Sequence, residues 1–217
     1  MTYAELVAAI KGYAENDFPA TAGSFSSTDQ LNTFIEQAEQ RIFNSIQFPV
    51  IRKNVTGTTT SGNKYLATPV DFLSVFSIAV IAANGSYEFL LNKDVNFIRE
   101  AYPTPTDLGT PAYYALFNEN TFILGPTPDS NYSTELHYFY YPESIVTAGT
   151  SWLGDNFDSV LLYASLLEAA AFMKSDPDTI KNYTDRYNEA LLLAKRLGDG
   201  LDRQDAYRSG QVRIPVK

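Results

Sequence analysis

The stretch that most restricts this chain is Asp155 to Met173, which reads as a helix apolar nearly all the way round. In a protein that works in water, such a helix has to be buried on most of its sides. Its apolar part, Leu161 to Met173, contains Ser165 and Glu168 and is too short to cross a bilayer about 30 Å thick. One neighbouring helix would leave part of it wet, so helices from elsewhere in the chain have to return to it. The spacing supplies candidates. Thr2 to Asn16 suits a first helix, with Leu6, Ile10 and Tyr13 on one face. The cluster Ser26-Ser27-Thr28-Asp29-Gln30 marks a second helix start, because Ser hydroxyls accept the orphan N–H groups of a first turn. Leu31, Ile35, Ala38, Ile42 and Ile46 continue its stripe until Pro49, which cannot continue the ladder.

After Met173, Ser175 or Asp176 can cap a further helix with Pro177 at its first position and Asp178 in the first turn. Ile180, Tyr183, Tyr187, Ala190, Leu191, Ala194 and Leu197 form its stripe. Lys195 and Arg196 suit the last turn, and Gly198 is placed to end it.

Between the two helical regions the texture changes to short β-branched and aromatic runs separated by turn residues, which is the pattern of an antiparallel β region. Val50 to Thr60 and Lys64 to Thr68 flank Ser61-Gly62-Asn63, and Leu73 to Ala82 and Tyr87 to Leu91 flank Ala83-Asn84-Gly85-Ser86; both pairs look like hairpins. Lys93 to Tyr102 suits a short helix, after which Pro103, Pro105, Gly109 and Pro111 force an extended loop. Ala112 to Phe117 and Thr121 to Leu124 form another hairpin, and Tyr132 to Tyr141 reads as the longest and most aromatic strand.

The fold class expected is therefore α+β: a helical bundle built from the N- and C-terminal segments, with an inserted antiparallel β-hairpin region and an extended C-terminal tail. The boundaries are 1–49 for the first helices, 50–150 for the β region, 151–197 for the helical hairpin and 198–217 for the arm. The last twelve residues, AYRSGQVRIPVK, carry Arg208, Arg213 and Lys217 and no acid, on a chain whose net charge is −9. A basic arm of this kind can add to a partner's sheet edge or lie in a groove, ordering only on binding.

Composition narrows the function classes. Fifteen Tyr and fourteen Phe fit strand-rich packing and aromatic-anchored subunit interfaces. An acidic chain disfavours sequence-reading DNA binding, which needs clustered Lys and Arg. Without Cys there is no disulfide framework or thiolate metal site. The opening MTYAELVAAI has no basic stretch before its apolar residues, so no secretory signal and no membrane segment are expected. The N-x-S/T triplets at Asn54, Asn84, Asn131 and Asn182 then read as chance.

No pattern specifies a reaction. His137 is the sole histidine, with no G-x-S-x-G turn to serve, and neither nucleotide-cradling glycine loop is present. Catalytic residues, cofactor and metal are all expected to be none. Glu36, Glu39, Asp71 and Glu168 are the carboxylates that a glycoside hydrolase would draw on. Glu36 and Glu39 read instead as solvating the outer face of their helix and Asp71 as a turn or cap residue. Glu168, inside the apolar helix, needs a partner and reads as half of an ion pair, within one chain or across a subunit boundary.

Four ordered pieces resemble tailed-bacteriophage head-tail adaptor (connector) proteins. TSWLGDNFDSVLLYASLLEAAAFMKSDPDTIKNYTDRYNEALL, Thr150 to Leu192, is similar to the family's C-terminal helical hairpin. GTPAYYALFNENTFILGPTPDSNYSTELHYFYYP, Gly109 to Pro142, is similar to its strand pair, Pro-Thr-Pro-Asp turn and aromatic strand. LATPVDFL, Leu66 to Leu73, resembles its Leu-Pro-x-Asp-Phe-Leu element, and FIEQAEQRI, Phe34 to Ile42, the preceding helix. The sequence departs at Thr68, where Leu is commoner before Pro, and at Phe157, where Pro is frequent. The resemblance implies a non-enzymatic ring subunit, twelve copies being expected, bound beneath the portal in the virion neck and assembled in the host cytoplasm. Its partners would be the portal protein, the next tail component (nozzle or tail hub) and itself, with genomic DNA passing through without sequence-specific binding. Tyr207, Arg208, Val212, Arg213, Ile214 and Lys217 are the residues expected to contact the portal, the apolar three by packing and the basic three by pairing with carboxylates. A tail terminator, a nozzle subunit or a phage glycan hydrolase are the alternatives.

Overall fold

A computed structural model describes the chain except for residues 21–25, 47, 83, 105 and 209–217; for residues 49 and 197–208 it describes only the backbone. The chain divides into two compact units, one made of Met1–Pro49 with Pro142–Lys217 and one of Val50–Tyr141.

The first unit is helical. Helix α1 (Tyr3–Ala14) and helix α2 (Ser27–Ser45) each begin with a capping box: Thr2 and Ser26 accept from the N–H groups of Glu5 and Asp29, whose carboxylates reach back. Short helices α4 (Ile145–Ala148) and α5 (Trp152–Asn156) lead into α6 (Asp158–Met173) and α7 (Pro177–Arg208). Helix α6 packs against α1, α2, α5 and α7, so the apolar run does recruit neighbours on several sides. Val160, Leu161, Leu162, Ala164, Leu166, Ala169 and Ala170 are all buried, positions that wrap around the helix rather than forming one stripe. Ser165 is buried as well and donates its hydroxyl to the Leu161 carbonyl at 2.8 Å. The apolar run is interrupted at Phe157, which has φ −141° and separates α5 from α6; its ring lies 5.5 Å from Phe48 and 5.3 Å from Trp152.

Helix α7 begins as expected, with the Asp176 carboxylate accepting from the Asp178 and Thr179 N–H groups. It does not stop at Gly198. The helix runs on to Arg208, since an interior Gly costs only about 1 kcal/mol relative to Ala and the following residues contain no Pro before position 215.

The second unit is a two-sheet sandwich. Sheet A has the order β1 (Arg52–Thr58), β10 (Ser133–Phe139), β3 (Ser74–Ile81), β4 (Tyr87–Phe89), all antiparallel. Sheet B has the order β2 (Tyr65–Ala67), β8 (Thr121–Gly125), β7 (Tyr113–Asn118), β5 (Leu91–Asn92). Ile78, Val80, Leu136 and Tyr138 from sheet A meet Tyr114, Phe122 and Leu124 from sheet B in the core. Helix α3 (Val95–Ala101) covers the other face of sheet B through Ile98, which packs with Ala115 and Ile123. The helix sits so close that a Cβ on Gly125 would come within 2.9 Å of Ile98 and 3.0 Å of Tyr102.

The strands flanking Ser61-Gly62-Asn63 are not a hairpin. β1 pairs with β10 and β2 with β8, in different sheets, because the intervening loop is tied across the sandwich: Ser61 N–H donates to Asn131 Oδ1 and Gly62 N–H to the Pro128 carbonyl, both at 2.8 Å. The β region is also not purely antiparallel. β5 runs parallel to β7, and β6 (Leu108–Gly109), inside the proline-rich loop, runs parallel to β9 (Thr127–Pro128). The hairpins β3–β4 and β7–β8 and the helix α3 are as the turn residues indicated. β10 is not the longest strand, having seven residues to the eight of β3, but it is internal to sheet A, flanked by β1 and β3.

Candidate partner-binding surfaces

Two of the six residues expected to contact the portal fall in α7. Tyr207 and Arg208 are its last two residues, and Val212, Arg213, Ile214 and Lys217 lie outside the described residues.

The carboxylates weighed for hydrolysis are, apart from Glu36, held by protein groups. Glu36 is exposed, as expected, but Glu39 is buried, which corrects its reading as an outer-face residue. Its Oε1 accepts the Ile145 N–H at 3.0 Å, so it anchors the start of α4 against α2. Burial pushes its pKa up, opposed by hydrogen bonds from the Ser144 side chain and the Ile145 backbone. Glu168 pairs with Arg41 of α2, so the apolar helix neutralises its acid within one chain. Asp71 does more than terminate a turn. Lys53 Nζ lies 2.7 Å from one of its oxygens and the Tyr138 hydroxyl donates to the other at 2.8 Å, and the Lys53 bond, followed by that of Tyr138, holds its pKa down. His137 Nε2 is 3.3 Å from Glu135 Oε1, an oxygen that also accepts from Asn54 Nδ2 at 3.3 Å. Among the described residues, no cluster of three or more His, Asp or Glu is placed to hold a metal ion, and no helix is long and apolar enough to cross a membrane.

Sequence reasoning missed how much aromatic surface the sandwich leaves uncovered. On the outer face of sheet A the Arg52 guanidinium lies over Phe76, 4.8 Å from its centroid, and 5.8 Å from that of Phe139. At the far edge Tyr87 and Phe89 are 52 % and 69 % exposed, although they belong to a regular strand. On sheet B, beyond α3, Tyr65 and Phe117 pair at 5.8 Å and both are exposed. Strand alternation could have exposed this: a strand in a two-layer sandwich buries one face only, so apolar residues on both faces leave a surplus outside. The register shift in β10–β3 between His137 and Tyr138 hid the alternation around Phe76.

The sandwich offers contact surface. Exposed aromatic side chains of this kind are the residues enriched at the cores of protein interfaces. A protein-family model described as SU10 adaptor protein matches residues 1–215 of the chain. No curated protein matches it in sequence.

Proposed function

The chain belongs to the SU10 adaptor protein family and so is a phage structural adaptor; from that premise we propose that its copies close into a ring beneath the portal, joining the capsid to the tail around a channel for the genome. The observation that carries this reading is the exposed aromatic and aliphatic surface of the sandwich, Phe76, Phe89, Leu91, Leu116 and Phe117 among it, on a unit whose core is already complete without it. Apolar surface in excess of what folding needs marks an interaction site. A closed ring larger than a dimer needs two different lateral faces on each copy.

In this reading the protein is a virion component of the neck, the portal and the next tail component are its axial partners, and no reaction is catalysed. The segment carrying Tyr207, Arg208, Val212, Arg213, Ile214 and Lys217 is assigned to partner contact. The net charge of −9 gives the ring a field that repels phosphate, so that DNA slides past acidic side chains facing the channel. Electron microscopy of virions carrying a label on this chain tests the placement: density in a ring directly below the portal is expected, and a label lower in the tail would replace this reading with that of a nozzle or terminator subunit.

A further inference from the structure

Among the described residues, strand β1 is the long open edge of the sandwich. It lies at one end of sheet A with all seven residues paired to β10 on its inner side, and six of the seven are exposed. The other edge strands of sheets A and B, β4, β2 and β5, have only three, three and two residues. An open edge of this length presents a row of N–H and C=O groups that will accept another strand. Charge blunts it at one end only, at Arg52 and Lys53; Asn54 to Thr58 carry none.

Backbone bonds fix the polarity of this edge. Thr59 N–H donates to the Tyr132 carbonyl, and Tyr140 N–H to the Ile51 carbonyl. Positions 51 and 59 therefore point their polar groups at β10, and by alternation so do 53, 55 and 57. Asn54, Thr56 and Thr58 direct theirs outward, and their side chains lie on the outer face of the sheet, because they share rows with His137, Glu135 and Ser133. Val55 and Gly57 share rows with Leu136 and Thr134 on the inner face. On that inner side a cleft of about 240 Å³, lined by Val55, Gly57, Leu66, Pro69, Thr134 and Leu136 among others, opens between the β1 edge and β2.

Residues 211–217, QVRIPVK, match this edge. Val212, Ile214 and Val216 alternate with Arg213, Pro215 and Lys217, so an extended segment puts three branched aliphatic side chains on one face. Turned inward, those three enter the cleft and leave both cations outside. Pro215 then selects the direction. In antiparallel pairing, residues opposite one another exchange both hydrogen bonds, so the outward-facing Asn54, Thr56 and Thr58 would need donors from 213, 215 and 217, and Pro215 has none. In parallel pairing, each residue bonds to the two flanking its opposite number, so 212, 214 and 216 make the bonds. Pro215 then faces solvent, the placement tolerated for Pro in an edge strand.

We propose that residues 211–217 of one copy add as a parallel strand to the β1 edge of the neighbouring copy, with Val212, Ile214 and Val216 filling the cleft beside Val55 and Leu66. This rests on the ring reading and names the partner of the arm's apolar residues: a second copy of the chain. Helix α7 delivers the arm. At 32 residues it is twice the length of its 16-residue packing partner α6, a difference of about 24 Å at 1.5 Å per residue, so its final turns reach past the helix that covers its first half.

The chain has no native Cys, so cross-linking of introduced cysteines reads the contact directly. Full-length chains carrying Asn54→Cys, Thr56→Cys or Thr58→Cys are mixed with chains carrying Arg213→Cys or Lys217→Cys, loaded on purified portal and treated with a short bis-maleimide. Loading is measured first by co-sedimentation. Links between copies are expected at least tenfold above a Lys181→Cys control, with position 213 favouring a site nearer Arg52 than position 217 does. Adding Ile214→Asp should reduce the links at least tenfold while the urea midpoint stays unchanged. Loading without links overturns the strand addition and leaves the ring reading standing; the reversed order of positions overturns the parallel direction; a link within single, unloaded double-cysteine chains assigns the edge to the chain's own arm. Failure to load overturns the ring reading and this inference with it.

Discussion

Glu39 is the position where a single change separates two physical effects that usually travel together. It is 5 % exposed and accepts the Ile145 N–H at 3.0 Å, so it both satisfies a buried donor and carries a charge that burial penalises. Glu39→Ala removes the acceptor and leaves the Ile145 N–H unpaired, at a cost of about 1–3 kcal/mol. Glu39→Gln keeps an acceptor oxygen and removes the charge, so its cost at neutral pH should stay below about 1 kcal/mol. The gap of roughly 1–2 kcal/mol between the two variants corresponds to about 0.5–1 M urea for a slope near 2 kcal/mol/M. The ring of Trp152, the sole Trp, lies 4.9 Å from that of Phe48 within the same unit, so its fluorescence reports on the unfolding that matters. The pH dependence has a definite sign. A carboxyl whose folded pKa is raised binds its proton more tightly in the folded state, so its contribution is complete below the ordinary value of 4.5 and is lost as pH rises through the folded value. Wild type should therefore gain on Glu39→Gln as pH is lowered from 7 towards 4.5. Equal midpoints for the Ala and Gln variants, or a wild-type to Gln difference that ignores pH over that window, would refute the argument.

Three further outcomes are expected. Phe122→Ala opens the fully buried centre of the sandwich, where Phe122 contacts Phe72 and Tyr114, and should cost about 3–5 kcal/mol in thermal unfolding followed by circular dichroism. Asp71→Asn removes the partner of Lys53 and Tyr138; because the pair is partly exposed, the loss at pH 7 should be no more than about 1 kcal/mol. Since the folded pKa of Asp71 is lowered from the ordinary value of 3.8, that stabilisation is present above 3.8 and disappears as pH falls through the folded value, so the difference between wild type and variant should shrink as pH is lowered from 3.8 in urea titrations. Phe89→Asp, at a side chain 69 % exposed, should change stability by less than about 0.5 kcal/mol yet reduce recovery of portal-bound adaptor severalfold in co-sedimentation; unchanged recovery would remove Phe89 from the interface.

Much of the helical unit was legible because each of its signals is local. Ser26 caps α2 and Asp176 caps α7 where the sequence places them, since a cap is a contact over two or three residues. The all-round apolar character of α6 needed several helices, and it has them. The turns at Asn84-Gly85 and Asn118-Glu119-Asn120 joined the strands they flank. What failed was long in range. Ser61-Gly62-Asn63 looks like a hairpin turn by composition, and only its bonds to Pro128 and Asn131, far along the chain, turn it into a crossing between sheets.

Local spacing, capping chemistry and the width of an apolar stripe determined, from the sequence alone, which segments are helices, that the first and last parts of the chain share a bundle, and that a β region lies between them. Tertiary structure alone decided how the hairpins and the remaining strands assemble into sheets, that Glu39 is buried against the start of α4 while Glu36, three residues earlier, stays in water, and that Phe76 and Phe89 face outward. The reason is that strand partners and burial are set by contacts between residues far apart in the chain. A one-residue shift in register exchanges the two faces of a strand, and nothing in the neighbouring residues records that choice.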